Sequence, residues 1–105
     1  CPILAHPDLQ EIGSNPCDSG RPKSELEEKF AAHAGVDFSE LSCCPDEWFV
    51  QPSLNTWETR QALSERLRRL TAWLANRPET TIVVVAHYGI FQRLLGLKFE
   101  NCAAV

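Results

Sequence analysis

The sequence contains no methionine. Translation starts on that residue, so a chain opening Cys1-Pro2 without one anywhere reads as a processed product or an internal piece of something longer. Long apolar runs are missing too. The longest, Ile82-Val83-Val84-Val85-Ala86, falls far short of the ~20 residues a bilayer requires, which argues against a transmembrane helix or a membrane partner. No basic stretch followed by an apolar one opens the chain, so no signal peptide is read there. Positive charge is in deficit. Ten basic residues face fourteen acidic ones for a net charge of -4, which gives no electrostatic footprint for nucleic acid. Arg66, Arg68 and Arg69 form the one basic cluster, and they read as the solvated face of a helix. Internal repeats and low-complexity tracts are absent as well.

The five cysteines, at 1, 17, 43, 44 and 102, lack any Cys-x-x-Cys spacing. The odd count disfavours a disulfide scaffold, and vicinal Cys43-Cys44 is poorly arranged to grip one zinc with His6, His33 and His87 scattered elsewhere. The expectation is therefore reduced thiols, a cytoplasmic protein, and neither metal nor cofactor.

What is present describes an ordinary globular chain: 44% apolar and 23% charged residues in a length that allows at most one domain, over 1–105. Prolines 2, 7, 16 and 22 with Gly13 and Gly20 make residues 1–22 loop, with at most one short extended piece. Ser24-Glu25-Leu26-Glu27 has the form of a capping box, which predicts a short helix from there to about His33, ended by Gly35. Residues 36–54 are mixed, with Pro45 and Pro52 breaking any helix and Trp48, Phe49 and Val50 as anchors. A second capping signal lies at Asn55 to Glu58. Leu63, Leu67, Leu70 and Leu74 then form one helical stripe, opposite Glu65, Arg68 and Arg69, in a helix expected to end near Asn76. Thr80 to Val85 is β-branched throughout, the pattern of a strand buried on both faces in a parallel sheet. His87-Tyr88-Gly89 turns the chain into a helical spacing over Ile90 to Leu95, and this order is an α/β layer unit.

Ligands of open α/β sheets bind at the carboxyl ends of strands, beside helix N-termini. His87 is the first polar residue after the valines, and Gly89 allows a sharp turn into the helix. From spacing alone, His87 reads equally as a phosphate ligand or as a strand-end histidine bonded to a backbone carbonyl. Glu11, in Asp8-Leu9-Gln10-Glu11-Ile12-Gly13, is the candidate acid, and by pattern alone it is an exposed loop carboxylate. Asp18 reads as a turn residue capping local amides.

Taken together, Ile82 to Gly89, Leu94-Leu95-Gly96 and Asn101-Cys102 resemble the C-terminal signature of the histidine phosphatase superfamily, the phosphoglycerate mutase-like proteins. Trp73-Leu74, Arg77-Pro78-Glu79 and Leu9 to Gly13 resemble the same family in the expected order. The resemblance implies a three-layer α/β/α fold around a mainly parallel sheet, N-terminally truncated and lacking its opening strand. It also implies phosphoryl transfer from a phosphomonoester through a phosphohistidine, without metal, on a phosphorylated small molecule or a phosphoprotein. By matching position, His87 would hydrogen-bond the transferring phosphoryl group and Glu11 would protonate the leaving oxygen. The chemistry is coherent, because the loose transition state spreads charge over three oxygens and an alkoxide leaves poorly without a proton. Gly89 and Tyr88 would line the phosphate site, with Tyr88 standing where many members have glycine and its ring at the pocket mouth. Arg21 is a candidate second anion contact.

Departures from the family pattern carry equal weight. No Arg-His pair occurs in the 105 residues, so the nucleophile of the Arg-His-Gly motif is missing, and His6 and His33 read as surface or loop histidines. The expectation is a phosphatase fragment without turnover of its own. The alternative is a catalytically inactive phosphate-binding or regulatory module, and a redox or metal protein built on Cys43-Cys44 stands further off.

Overall fold

Pro2, Pro7, Pro16 and Pro22 dictate the opening of the chain, since each removes a backbone donor and fixes φ. Among the described residues there, regular structure is limited to a two-residue strand, β1 (Ile3–Leu4), and single 3-10 turns at Pro7–Leu9 and Pro16–Asp18. The computed structural model describes residues 2–13, 15–33, 35–49 and 58–96. They fall into two units: Cys1–Pro7 with Gly13–Thr56, and Asp8–Ile12 with Trp57–Val105.

In the first unit β1 pairs in parallel with β2 (Val36–Asp37), Ile3 opposite Val36 and Leu4 opposite Asp37. Bonds from the Ile3 amide to the Gly35 carbonyl (2.7 Å) and from the Ala5 amide to the Asp37 carbonyl (2.9 Å) extend the ladder at both ends. The crossover between the strands contains helix α1 (Lys23–Phe30), so the unit has the strand–helix–parallel strand order of an α/β protein. Gly35 leads into β2 at φ 102°, which glycine adopts at no steric cost.

The start of α1 differs from the capping-box expectation. The helix already begins at Lys23, after Pro22, so Ser24 lies inside the first turn. The orphan amides are satisfied from a distance: the Asp46 carboxylate accepts from the Ser24 amide (2.8 Å) and hydroxyl (3.0 Å), and its carbonyl accepts from the Lys23 amide (2.9 Å). A carboxylate at a helix N-terminus also complements the dipole. Nearby, Trp48 donates its indole N–H to the Arg21 carbonyl (2.8 Å) and packs edge-on against Phe49. A side chain on Gly20 would press into the Phe49 ring, so both aromatics anchor this loop as expected. Val50 lies outside the described residues. Leu41, in the 3-10 turn Ser39–Leu41, is the buried apolar residue among the described residues of the unit. Asp18 accepts from the Asn15 side-chain amide (2.9 Å), a local turn contact.

The second unit is built on α2 (Arg60–Ala75) and α3 (Tyr88–Leu95). Thr59 caps α2, its hydroxyl accepting from the Ala62 amide at 3.1 Å; the expected signal at Asn55 lies outside the described residues. The helix ends at Asn76 as the periodicity indicates, and Gly96, at φ 66°, closes α3 with its amide on the Gln92 carbonyl. Leu63, Leu70 and Ile90 are buried, whereas Leu67 and Leu74 are half-buried.

Two expectations fail here. The Val run forms no strand: Thr81 to Ala86 pairs with nothing among the described residues, and Val83 and Val85 are 85% and 82% exposed. A strand that is apolar on both faces needs a neighbour on each edge and a layer on each face, and the described residues supply neither. The sheet they contain has two strands, which is compatible with α/β and does not by itself give the three-layer arrangement expected. The second failure is Arg66. Arg68 and Arg69 lie on the exposed face, but Arg66 is only 5% exposed. It follows Leu63 by three residues and precedes Leu70 by four, so it belongs to the buried stripe.

Candidate functional site

Within the second unit the short segment Asp8–Ile12 lies against the two helices. Arg66 of α2 donates from one terminal nitrogen to the carbonyls of Asp8 (3.2 Å) and Gln10 (2.6 Å). Its Nε and other terminal nitrogen pair with the Glu58 carboxylate, the first at 2.9 Å. A buried guanidinium needs both a counter-charge and acceptors for its donors, and here it has them. Arg69, three residues on and nearly one turn further along α2, ion-pairs with the buried Asp8 carboxylate at 2.8 Å. That hydrogen bond raises the Arg69 guanidinium further above its usual range.

Held in this way, the segment delivers Glu11 to the start of α3. One carboxylate oxygen accepts from the Ile12 amide (2.7 Å), and the other accepts from the Gly89 amide (3.2 Å), 78 residues away. The Gly89 amide is one of the first-turn donors without an intrahelical acceptor, and a carboxylate there is favoured by the helix dipole as well. The approach also explains the glycine. Its backbone is not left-handed, so no sharp turn requires glycine; instead, a Cβ at this position would stand 2.4 Å from a Glu11 oxygen.

His87 is the N-cap residue of α3, with extended backbone (φ -98°, ψ 159°) and an exposed side chain that makes no capping bond. Its carbonyl accepts from the Phe91 amide (3.1 Å). Tyr88 follows it at the exposed surface of the first turn. Glu11 and the His87–Tyr88–Gly89 turn, singled out separately in the sequence, are thus neighbours around one helix end. Arg21 belongs to the other unit, where it ion-pairs with Glu25 at 3.5 Å. His6 and His33 lie in that unit too, His33 edge-on to Phe30.

Beside the Glu11–Gly89 contact lies a cleft of about 300 Å³ lined by Ile12, Glu58, Arg60, Leu63, Gly89, Gln92 and Arg93. The Glu58 charge is taken up by Arg66. Arg60 and Arg93, neither in an ion pair among the described residues, give the cleft two cationic side chains. Sequence reasoning missed both. It also missed Arg66, although its position on the leucine stripe was the available signal. Among the described residues no group of three or more His, Cys, Asp or Glu could hold a metal, and Cys17, Cys43 and Cys44 are free thiols. No helix of the described residues is long and apolar enough to cross a membrane.

Comparison with known proteins gives a related picture. The chain is 28% identical over 102 residues to Phosphoglycerate mutase-like protein 1 of Arabidopsis thaliana, covering 96% of this chain and 34% of that protein. It therefore spans about a third of the length of the curated relative it matches. No family model matches the sequence, and no solved structure matches it. A relationship to phosphoglycerate mutase-like proteins is the reading these comparisons favour.

Proposed function

We propose that this chain forms the acid and phosphate-binding part of a phosphoglycerate mutase-like site that transfers or hydrolyses the phosphoryl group of a phosphomonoester. The observation that carries the reading is the hydrogen bond from the Gly89 amide to the Glu11 carboxylate, next to His87 at the same helix end. A proton donor and phosphate ligands must lie within a few ångströms of one another to act on the same ester, and these residues come from opposite ends of the chain.

In this role the His87 imidazole receives the phosphoryl oxygens at the N-terminus of α3, stabilising charge that grows in the transition state. Glu11 gives its proton to the departing oxygen, typically worth about 10²–10⁴-fold in rate. Tyr88 bounds the opening of the site. The cleft along Arg60 and Arg93 accommodates the remainder of a phosphorylated small molecule or of a phosphoprotein segment. The nucleophile of such a reaction is a histidine in an Arg-His-Gly motif, which these 105 residues do not contain. The chain is therefore expected to bind phosphate esters without turning them over.

Calorimetric titration of the chain with phenyl phosphate tests this, alongside H87A and a turnover assay. Saturable binding weakened about tenfold or more by H87A, roughly 1.4 kcal/mol, is the expected result. Unchanged affinity in H87A removes the phosphate role of His87. Hydrolysis dependent on His87 would place a nucleophile within this chain and overturn the division of labour.

A further inference from the structure

The Glu11 side chain is held at α3 by little of its own: one neighbouring amide and one distant one. Its position depends on where the backbone of residues 8–12 runs. That course is not set by regular structure, because Pro7–Leu9 is a single 3-10 turn and residues 10–12 form neither helix nor strand. Two successive-but-one carbonyls, of Asp8 and Gln10, converge on a single nitrogen of Arg66, 58 and 56 residues away. With the Glu58 pair, four of the five guanidinium N–H groups are used, and the planar fork admits one orientation only.

We propose that Arg66 is a positioning residue: by clamping the Asp8 and Gln10 carbonyls to α2 it sets the backbone from which Glu11 reaches the Gly89 amide. The functional importance of the clamp rests on the reading of Glu11 as the acid; its geometry does not. Glu58 serves the clamp by neutralising and orienting the guanidinium in a buried place. Arg69 serves differently. It holds the Asp8 side chain from the half-exposed side of α2, leaving both clamped carbonyls to Arg66.

Lysine is the discriminating replacement. It keeps the charge, but its ammonium cannot span Glu58 and two carbonyls in a fixed plane. The readout is the Gly89 amide resonance of the full 105-residue chain, compared with and without E11A in each background. In the wild-type background E11A shifts this resonance, because it removes the acceptor. With R66K the E11A-induced shift is expected to fall to less than half, and with R69Q it is expected to stay within a tenth of the wild-type change. E58Q, which keeps an oxygen acceptor for Arg66, gives an intermediate loss and decides the matter if R66K does not fold. A full E11A-induced shift in both R66K and E58Q, whatever their melting temperatures, would mean that Arg66 stabilises the unit without positioning Glu11. If R66K does not fold, a full shift in E58Q alone means the same. Phosphate takes no part in this measurement, so failure of the functional reading leaves its outcome intact and is seen separately in the phosphate titration.

Discussion

Replacing Gly89 by alanine sets two opposing effects against each other. Gly89 sits in the first turn of α3 with a backbone that any residue tolerates, so alanine gains up to about 1 kcal/mol of helix propensity. The new methyl would stand 2.4 Å from one Glu11 oxygen and 3.1 Å from its carboxyl carbon, so the carboxylate must leave. Because that group ends a flexible side chain, its departure strains little. What is lost is a hydrogen bond to a charged acceptor at a half-buried site, about 1.5–3 kcal/mol. The net destabilisation expected for G89A is therefore about 0.5–2 kcal/mol, the difference between those terms. The sharper quantity is the coupling to Glu11. Once the methyl has expelled the carboxylate, E11A has little left to remove, and the two substitutions together should cost about 1.5–3 kcal/mol less than their sum, the bond being counted twice in that sum. Urea denaturation of wild type, G89A, E11A and the double variant, followed at the buried Ile90 amide, gives this number directly. Additivity to within about 0.5 kcal/mol would refute the contact.

Other consequences follow from local structure. D46A is expected to weaken the first unit by about 1 kcal/mol and more than S24A does, because the Asp46 carboxylate caps α1 whereas Ser24 contributes one hydroxyl; amide exchange in α1 measures both, and the reverse order would restore a serine cap. T59A should cost the second unit about 1 kcal/mol in denaturation experiments through loss of the α2 cap, and a cost near zero would contradict that cap. The Ser39 backbone N–H, followed by its hydroxyl, holds the Asp37 carboxyl below its usual range. This contribution is complete above the unfolded value and disappears as pH falls through the folded one. Melting temperatures of wild type and D37N should therefore differ above about pH 4 and draw together as the pH falls below it. A pH-independent gap would refute it.

Much of the second unit was legible because its signals are local. Leucine spacing located α2 and its end near Asn76, and the helical spacing over Ile90 to Leu95 located the body of α3, which begins at Tyr88. The candidate acid and the strand-end turn were legible as separate spots, and the fold brings them together. What the sequence hid depends on distant partners. Asp46 caps a helix 22 residues earlier, displacing the serine that local pattern favoured. Arg66 looked like one of three surface arginines until its place between Leu63 and Leu70 was considered together with the carbonyls it meets. The Val run has the composition of a central strand, but composition supplies no neighbouring strand, and among the described residues it has none.

Glu11 and the His87–Gly89 turn, in the function proposed here, form one phosphate site. Titrating the isotope-labelled chain with inorganic phosphate and following every backbone amide tests this most directly. Saturable shifts concentrated at Tyr88, Gly89 and Ile12, abolished by H87A and with the Arg21 amide unmoved, are the expected result. No saturable shift at the start of α3, or one confined to the neighbourhood of Arg21, would contradict it.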